Sequence, residues 1–148
     1  MTQNAEEYAP SPSAFIRGEV DKVTAAGTTD VVDVRGLKVV LLTTRGARSG
    51  KLRKVPLMRV EHEGTYVAVG SNSGDSKHPV WLYNLRADPN VTVQDGETVK
   101  EYRAREVEGA EYAEWWDRVV DAFPGYAEYR TMTDRTIPVV VLEPVEPA

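Results

Sequence analysis

The feature that most limits how this chain can fold is a series of short β-rich segments separated by turn residues. Six such segments follow Gly36, and they span residues 37–44, 53–61, 65–71, 91–94, 98–107 and 137–143. Their β-branched and aromatic residues, partly alternating with polar ones, indicate β-strands. The dipeptides Glu63-Gly64 and Asp95-Gly96 each separate two of the segments and are typical of tight turns. The sequence therefore predicts two antiparallel hairpins.

Three other segments have the periodicity of amphipathic helices. Segment 12–26 follows Ser11, which is placed to cap it, and ends before Gly27. Segments 79–87 and 109–123 repeat apolar residues at spacings of three and four. Six strands that must each bury one face favour a closed or split barrel over an open sheet, because closure removes exposed edges. We therefore expect one antiparallel barrel with flanking helices.

The length of 148 residues is that of one domain. We expect residues 1–10 to form a flexible N-terminus and residues 11–35 to form the first helix and a connector. Residues 36–144 would then form the barrel domain, and residues 145–148 a short tail.

Composition argues against several classes of function. The chain has no cysteine and two histidines, so neither a cysteine-ligated nor a histidine-only metal site is expected. Its formal charge of −5 argues against nucleic acid as a partner. No segment approaches the ~18 consecutive apolar residues of a membrane span, and the start of the chain lacks the features of a secretory signal. We expect a cytoplasmic protein.

The basic turn, residues 45–54, is the most informative segment, because five of its ten residues are cationic and none is acidic. Like charges repel within a Debye length of ~8–10 Å, so this concentration in an acidic protein indicates a ligand. Gly46 and Gly50 let the backbone approach that ligand, and exposed N–H groups could hold phosphate or carboxylate oxygens. It is not a Walker loop, since three residues separate the glycines and Leu52 follows Lys51. A solvated basic hairpin is the alternative.

Two further stretches are candidates for ligand contacts. Segment 70–74, Gly-Ser-Asn-Ser-Gly, could offer backbone donors to a polar ligand, and a simple turn is the alternative. Phe123, Tyr126 and Tyr129 repeat every three residues and would share one helix face. Tyrosine rings can pack a planar apolar molecule while their hydroxyls bond to its oxygens. Core packing is the alternative there.

These residues together resemble the deazaflavin-dependent nitroreductase family, which includes F420H2-dependent quinone reductases. The resemblance covers roughly residues 39–144 and rests on motifs in a fixed order: LLTTRGARSG at 41–50, Arg53, Pro56-Leu57, HPVWLYNL at 78–85, Asp88-Pro89 and TDRTIP at 133–138. It implies an α+β, mainly β fold, a six-stranded antiparallel split β-barrel of the flavin-reductase or pyridoxamine-phosphate-oxidase type with flanking helices. It also implies an oxidoreductase that uses reduced coenzyme F420, a phosphorylated deazaflavin with a polyglutamate tail, to reduce quinones and nitroaromatics.

The resemblance also implies which residues form the site in the cofactor-binding barrel. One group would hold the phosphate and the acidic tail of the coenzyme: Arg48, Ser49, Gly50 and Arg53. A second group would contact the rest of the coenzyme: Pro56, Leu57, Met58, Ser71, Asn72, Trp81 and Asn84. A third group would orient the substrate and provide candidate proton donors: Ser71, Tyr126 and Tyr129. No metal is implied.

Three positions differ from the best-known member of that family, which has tyrosine in place of Met58 and Phe123 and lysine in place of Asn72. These differences remove two hydroxyls and one charge, so we expect quinones rather than bulky nitroaromatic drugs as acceptors. Two alternatives stay open: a flavin-binding or haem-binding split barrel, and a non-catalytic anion-binding module. The helix at 12–26 could act as a lid or make a peripheral contact with the inner face of the plasma membrane.

Overall fold

The computed structural model describes residues 8–34, 36–74 and 76–145. Its strands are β1 (Asp33–Val34), β2 (Leu37–Arg45), β3 (Leu52–Met58), β4 (Glu61–His62), β5 (Thr65–Val69), β6 (Asn90–Asp95), β7 (Thr98–Glu106) and β8 (Val139–Pro144). Its helices are α1 (Ala14–Ala26), α2 (Val80–Ala87), α3 (Gly109–Ala122) and α4 (Gly125–Thr131), with single 3-10 turns at Thr29–Val31 and Asn72–Gly74.

The strands form one antiparallel sheet, and its two end strands, β3 and β4, follow one another in the sequence. Hydrogen-bonded neighbours follow the order β3-β2-β6-β7-β8-β5-β4, with β1 paired to the start of β2. Arg59 and Val60 join the two end strands, β3 and β4. The Arg59 N–H donates to the Lys38 carbonyl at 3.0 Å, and the Val67 N–H donates to the Val60 carbonyl at 2.9 Å. The bend at Arg59 and Val60 therefore bonds to β2 and β5, the strands next to the two ends of the curled sheet.

The predicted split-barrel class is confirmed, but the predicted count of six strands is wrong, because the described residues contain eight. The bend at Arg59 divides the second predicted strand, 53–61, into β3 and β4. The additional strand β1 is two residues long. Such short pairings leave no period in the sequence, and only tertiary contact defines them.

Both predicted hairpins form. Glu63 and Gly64 connect β4 to β5 with φ values of 52° and 85°, as a primed two-residue turn requires. Between β6 and β7, Asp95 still pairs with Thr98, so the turn consists of Gly96 and Glu97 and begins one residue later than predicted.

The predicted helices also form, with small shifts at their ends. Helix α1 starts later than expected because Ser13 caps it, accepting from the Ile16 N–H at 3.3 Å, while Ser11 accepts from the Ser13 N–H. Gly27 ends α1 at a φ of 75°. Helix α2 begins one residue after Pro79, and α3 ends one residue before Phe123.

The predicted flexible N-terminus is only partly covered, because residues 1–7 lie outside the described residues. Tyr8 forms a parallel bridge with Leu52, and the Ala9 N–H donates to the Leu52 carbonyl at 2.8 Å. This part of the N-terminus therefore lies beside the start of β3. At the other end the Val145 N–H donates to the Glu101 carbonyl at 3.1 Å. Residues 146–148 of the predicted tail and Arg35 of the predicted connector also lie outside the described residues.

Three apolar clusters surround the sheet. The inner cluster joins α2 to the sheet and includes Trp81 and Leu42. The outer cluster packs α3 and α4 on the opposite face of β5 and β8 and includes Tyr126. The third packs α1 on β2 through Val20 and Val23. Over the residues that the structure describes, no helix is long and apolar enough to cross a membrane.

A polar cluster holds the bend that closes the sheet, and we call it the closing cluster. Arg59 Nε donates to Asp95 Oδ2 at 2.9 Å, and the Tyr66 hydroxyl donates to the same oxygen at 2.5 Å. Burial raises the pKa of Tyr66, and its bond to Asp95 raises that pKa further, so the hydroxyl keeps its proton. These contacts tie the bend to β5 and β6.

Candidate functional site

The basic turn has a backbone shape set by its own hydrogen bonds. The Gly46 N–H donates to the Lys51 carbonyl at 2.7 Å, and the Gly50 N–H donates to the Gly46 carbonyl at 3.0 Å. The Arg45 guanidinium donates to the Gly50 carbonyl at 2.9 Å. Gly50 has a φ of 71°, a conformation that favours glycine. The turn is therefore built without help from a ligand.

A buried asparagine ties the basic turn to α2. Asn84 is 5% exposed, and its Oδ1 accepts from the Ala47 N–H at 3.0 Å. Its Nδ2 donates to the Thr44 hydroxyl at 3.2 Å. Both ends of the Asn84 amide are thus engaged within the protein, and its contact with the coenzyme stays a prediction.

Two arginines of the basic turn make no ion pair with any carboxylate among the described residues. Arg48 is exposed and Arg53 is half-buried. Arg45 differs, because its Nε lies 3.8 Å from the Asp88 carboxylate. Arg53 pairs with Thr44 across β2 and β3, so both side chains leave the same face of the sheet, the face that α2 covers at Asn84. The guanidinium groups of Arg48 and Arg53 remain available to an anion.

Strand β3 has one edge that no strand covers within the described residues, and we call it the β3 edge. The Leu52 carbonyl lies on this edge, because it accepts from Ala9 rather than from β2. Backbone groups alternate between the two edges of a strand, so those of Lys54, Pro56 and Met58 also face the β3 edge. Pro56 has no N–H group. It lies at an edge position where an N–H would have no strand partner, which is where prolines in sheets are usually found. The β3 edge therefore offers unpaired backbone groups to a ligand.

The β3 edge connects the basic turn to the outer apolar cluster. All seven residues of β3 are half-buried, including Val55 and Leu57, which pack against the inner cluster. Met58 packs against the outer cluster instead. At a rise of ~3.3 Å per residue, Arg53 and Met58 lie about 17 Å apart along the strand. The edge is thus cationic at one end and apolar at the other, and residues 8–9 and α1 contact part of β3.

The three predicted aromatic residues meet where α3 is followed by α4. Only Tyr126 and Tyr129 lie on a common helix, because Phe123 has an extended backbone before α4 begins, so the prediction of one shared helix face is wrong for Phe123. The ring centroids of Phe123 and Tyr126 lie 5.1 Å apart, and those of Tyr126 and Tyr129 lie 6.1 Å apart, both pairs edge-on. Burial raises the pKa of Tyr126, which is 5% exposed. No described residue forms a hydrogen bond with its hydroxyl. Every side-chain oxygen that is fully buried among the described residues has a hydrogen-bond partner. The Tyr126 ring is therefore buried, and its hydroxyl oxygen is not fully buried.

A short turn follows β5 and packs against α4. Asn72 in this turn has a φ of 47°, which asparagine tolerates better than lysine, and its Nδ2 donates to the Lys77 carbonyl at 3.1 Å. The Gly74 N–H donates to the carbonyl of Ser71, a buried residue. A Cβ atom on Gly74 would lie 3.0 Å from Met132 Sδ, so the turn is in close contact with the end of α4.

The structure brings the predicted residues together in two groups connected by the β3 edge. One group is the basic turn with Asn84, and the other joins the turn at 71–74 to Tyr126 and Tyr129 through α4. Trp81 is 8% exposed and lies in the inner cluster, so most of its side chain packs in the core. No observation tests these roles directly, and they stay predictions.

Two further residues shape this region, and sequence patterns do not assign roles to them. Thr44 is 2% exposed and supports Asn84, but it resembles any other threonine in a strand. Arg135 contacts Ser71 and His78 from a loop far along the chain. Its membership of the TDRTIP motif is the only signal in the sequence, and that motif does not indicate a partner.

The chain is similar to known proteins over most of its length. Residues 15–144 match the family described as F420H(2)-dependent quinone reductase. An F420H(2)-dependent quinone reductase of Mycobacterium tuberculosis is 34% identical over 105 residues, which cover 69% of this chain and 70% of that protein.

Solved structures agree with this match. The structure described as an F420-H2 dependent reductase, FDR-A, is 56% identical, with a TM-score of 0.68, and the alignment covers 71% of this chain and 93% of that one. Another, described as a domain-swapped dimer, is 51% identical, with a TM-score of 0.71, and the alignment covers 90% and 100% of the two chains. The haem-storage protein HutZ of Vibrio cholerae is 14% identical, with a TM-score of 0.55 and coverage of 76% and 85%, and supports the split-barrel fold alone. This chain therefore belongs to the F420H2-dependent quinone reductase family of oxidoreductases.

Proposed function

We propose that the protein transfers a hydride from reduced coenzyme F420 to a quinone, with the coenzyme held along the β3 edge. The observation that carries this proposal is the arrangement of that edge, with, at one end, arginines that form no ion pair with a described carboxylate and, at the other, Met58 packed against the outer cluster that includes Tyr126. When bound, the reduced deazaflavin supplies the hydride. The family description supports a quinone as the acceptor.

The basic turn suits the acidic end of the coenzyme, which carries phosphate and glutamate carboxylates. Each of Arg48 and Arg53 can donate two parallel hydrogen bonds to such a group. The Ser49 Oγ accepts from the Lys51 N–H at 3.1 Å, so the hydroxyl proton stays available for a ligand oxygen. A Cβ atom on Gly50 would meet no atom within 4 Å, so a ligand can approach its backbone. The charge and the open backbone therefore suit an extended anion.

The middle of the β3 edge suits the polar rim of a ring system. The Pro56 carbonyl and the Met58 N–H face the unpaired edge and can bond to ring oxygens and nitrogens. Leu57 packs its side chain on the inner cluster and fixes the strand from behind. Asn84 acts through the basic turn in this proposal, because its amide is already bonded to Ala47 and Thr44.

Orientation of the acceptor is the main demand on the protein, because hydride transfer requires reacting atoms within ~3–3.5 Å. We assign that orientation to Tyr126 and Tyr129. The raised pKa of Tyr126 makes it a hydrogen-bond donor at neutral pH rather than an acid. A quinone that accepts a hydride still needs one proton, and Ser71 or solvent would deliver it. Neither tyrosine has to lose its proton in this arrangement.

The proposal is tested by mixing the protein with reduced coenzyme F420 and menadione and following the return of oxidised coenzyme. We expect Tyr126→Phe to lower kcat/KM for the quinone by about tenfold, the effect of losing one oriented hydrogen bond. Coenzyme affinity should not change. Tyr83→Phe, at an exposed position on α2, is the matched control. If no quinone is reduced above the blank, the proposed reaction is wrong.

Nitroaromatic compounds are a second class of acceptor, and we propose that the protein prefers quinones to them. Phe123 lies against Tyr126 and Tyr129, and Met58 packs against the same outer cluster, so these two positions offer no donors to a nitro group. Met58→Tyr with Phe123→Tyr should therefore raise kcat/KM for a nitroaromatic more than for menadione. An equal change for both acceptors would contradict this preference.

We also propose that the protein acts in the cytoplasm and touches the inner face of the membrane through α1. Val20 and Val23 of α1 are buried against the sheet, while Phe15 is 73% exposed. An exposed phenylalanine near a helix start can enter the headgroup region of a bilayer. Co-sedimentation with anionic phospholipid vesicles should decrease in Phe15→Ser. Equal sedimentation of the wild type and Phe15→Ser would contradict the membrane contact, and α1 would then act as a lid.

A further inference from the structure

Arg135 lies in the loop between α4 and β8 and bonds to both ends of another loop. Its Nη2 donates to the Ser71 carbonyl at 2.8 Å, and its Nη1 donates to His78 Nδ1 at 3.0 Å. Ser71 follows β5 closely, and His78 lies two residues before α2 begins. One guanidinium group thus bridges the start and the end of the 71–78 loop.

Other contacts hold the start of this loop against the same part of the chain. The Gly70 N–H donates to the Pro138 carbonyl at 2.9 Å, and a Cβ atom on Gly70 would lie 3.2 Å from Pro138 Cδ. The Ser71 carbonyl accepts from both Arg135 and Gly74. Residues 135–138 therefore fix where the turn at 71–74 lies relative to α4.

We propose that Arg135 is a positioning residue for the reaction: it holds the turn at 71–74 beside α4 through the Ser71 carbonyl, and the unprotonated ring of His78 holds Arg135. This inference rests on the proposed function, in which Ser71 or solvent delivers the proton to a quinone that Tyr126 and Tyr129 orient. A shift of the turn at 71–74 would misplace the acceptor relative to Tyr126. It would not weaken the binding of the coenzyme's acidic end to the basic turn. Misplacement by about 1 Å can lower a rate by about 100-fold.

The residue types explain why this bridge requires both partners. A guanidinium group has several donors in a fixed plane, so it can bond to the Ser71 carbonyl and the His78 ring at once, whereas a lysine has one nitrogen. Arginine can only donate, so Nδ1 of His78 must accept, and the neutral ring carries its proton on Nε2. Protonation of His78 would remove the acceptor and set two cations against each other.

The surroundings of His78 keep its ring neutral. Among the residues that the structure describes, the groups that face it are Arg135, Arg86 and the Tyr83 ring of α2, and Glu106 of β7. Burial lowers the pKa of His78, the charges of Arg135 and Arg86 lower it further, and Glu106 opposes them. His78 and Arg135 also line an open cavity of about 590 Å³, which gives water access to the ring. The bridge should therefore be intact near neutral pH and break in acid.

A pH profile tests the bridge against a purely structural role. We expect kcat of the wild type to fall as the pH drops below 6.5, the ordinary pKa of histidine, while coenzyme KM stays constant. His78→Asn places an amide oxygen near the Nδ1 position without a titrating group, so kcat should be retained near neutral pH and this acid limb should disappear. His78→Leu should be impaired at every pH. Identical acid limbs in the wild type and His78→Asn would overturn the proposal.

Arginine variants provide the second test. Arg135→Gln should lower kcat/KM for the quinone by about tenfold or more with coenzyme affinity within twofold of wild type, and Arg135→Lys should recover only part of the loss. Arg103→Ala, at an exposed position on β7, is the matched control. If Arg135→Gln weakened coenzyme binding as much as kcat, or left both unchanged, Arg135 would not be a positioning residue.

A measurement on the protein without coenzyme separates this inference from the proposed function. The Gly74 amide donates to the same Ser71 carbonyl as Arg135, so its NMR signal should shift as His78 titrates and stay constant in His78→Asn. A Gly74 signal that ignores the titration would overturn the bridge even if quinone is reduced. If the signal follows His78 but no quinone is reduced, the bridge exists and the proposed reaction is wrong.

Discussion

Strand β3 has an arginine near each end, and the two have opposite surroundings. Arg59, just after the strand, bonds to Asp95 at 2.9 Å, lies 3.8 Å from Glu61 and sits over the Tyr66 ring. Arg53, near the start, forms no ion pair with a described carboxylate. The same residue type thus closes the sheet at one end and stays available at the other.

The difference shows how to separate structural from functional charge in this fold. Ion pairs between partly exposed groups contribute little each, but Asp95 joins an arginine and a tyrosine in one half-buried cluster. Around Arg53 the chain instead concentrates positive charge, with Arg48 and Lys54 nearby in sequence. Repulsion among such charges is unfavourable for the free protein and is relieved by a bound anion. Unpaired cations that the fold does not need therefore indicate a ligand.

The largest expected effect follows from removing the unpaired arginines. Arg48→Ala with Arg53→Ala should weaken coenzyme binding by at least about 100-fold, because each guanidinium bonded to an anion contributes ~1.5–3 kcal/mol. The free energy of unfolding should change by less than about 0.5 kcal/mol, since neither residue has an internal ion partner. Fluorescence titration with the coenzyme and urea unfolding measure the two quantities. Unchanged affinity would show that the basic turn does not hold the coenzyme.

The closing cluster should respond in the opposite way. Asp95→Ala leaves Arg59 and the Tyr66 hydroxyl without their common acceptor, so it should lower the free energy of unfolding by about 2 kcal/mol. Coenzyme affinity should stay within twofold of wild type. Glu97→Ala, in the neighbouring turn, is the matched control and should change neither quantity. A large loss of coenzyme affinity in Asp95→Ala would contradict the separation of the two ends.

The fold was largely predictable because its signals are local. Alternation and turn dipeptides predict the hairpin at Glu63-Gly64, and helix periodicity predicts α1, α2 and α3. The bend at Arg59 was not predictable, because the residues around it continue a β pattern and only the closing cluster, built with Asp95 from a distant strand, makes the chain change direction. Strand β1 was missed for the same reason, since its pairing is tertiary.

The site was predictable in its charge but not in its supports. The count of cations predicts an anion site in the basic turn, and the family resemblance selects Arg48 and Arg53 within it. It cannot show that Arg45 is held by Asp88 and the Gly50 carbonyl. Nor can it show that the Asn84 amide is bonded on both sides, because these partners lie far apart in sequence and a hydrogen bond across the fold leaves no local pattern.

A smaller effect is expected from the residues that hold the basic turn in place. Asn84→Ala removes the acceptor of the Ala47 N–H and should weaken coenzyme binding by about tenfold, because the turn loses one buried hydrogen bond of ~1 kcal/mol and shifts. Thr44→Val removes only the group that supports Asn84 and should cost less. If Asn84 acts through the turn, its effect should be less than additive with Arg48→Ala. Full additivity would indicate that Asn84 contacts the coenzyme independently.

The smallest effect, a dependence on salt, distinguishes the two ends of β3 without changing the fold. Screening shortens the Debye length from ~10 Å at 0.1 M salt to ~3 Å at 1 M, so a bound anion at the basic turn should lose affinity severalfold over this range. Arg48→Ala should reduce that dependence, since fewer unpaired charges remain to be screened. Asp95→Ala should leave it unchanged, because Arg59 lies at the far end of β3, about 20 Å from Arg53 by the strand rise of ~3.3 Å per residue. Isothermal titration at several salt concentrations measures these slopes. Equal slopes in the wild type and Arg48→Ala would mean that Arg48 does not hold the anion, and its lack of an ion pair would then not indicate a ligand.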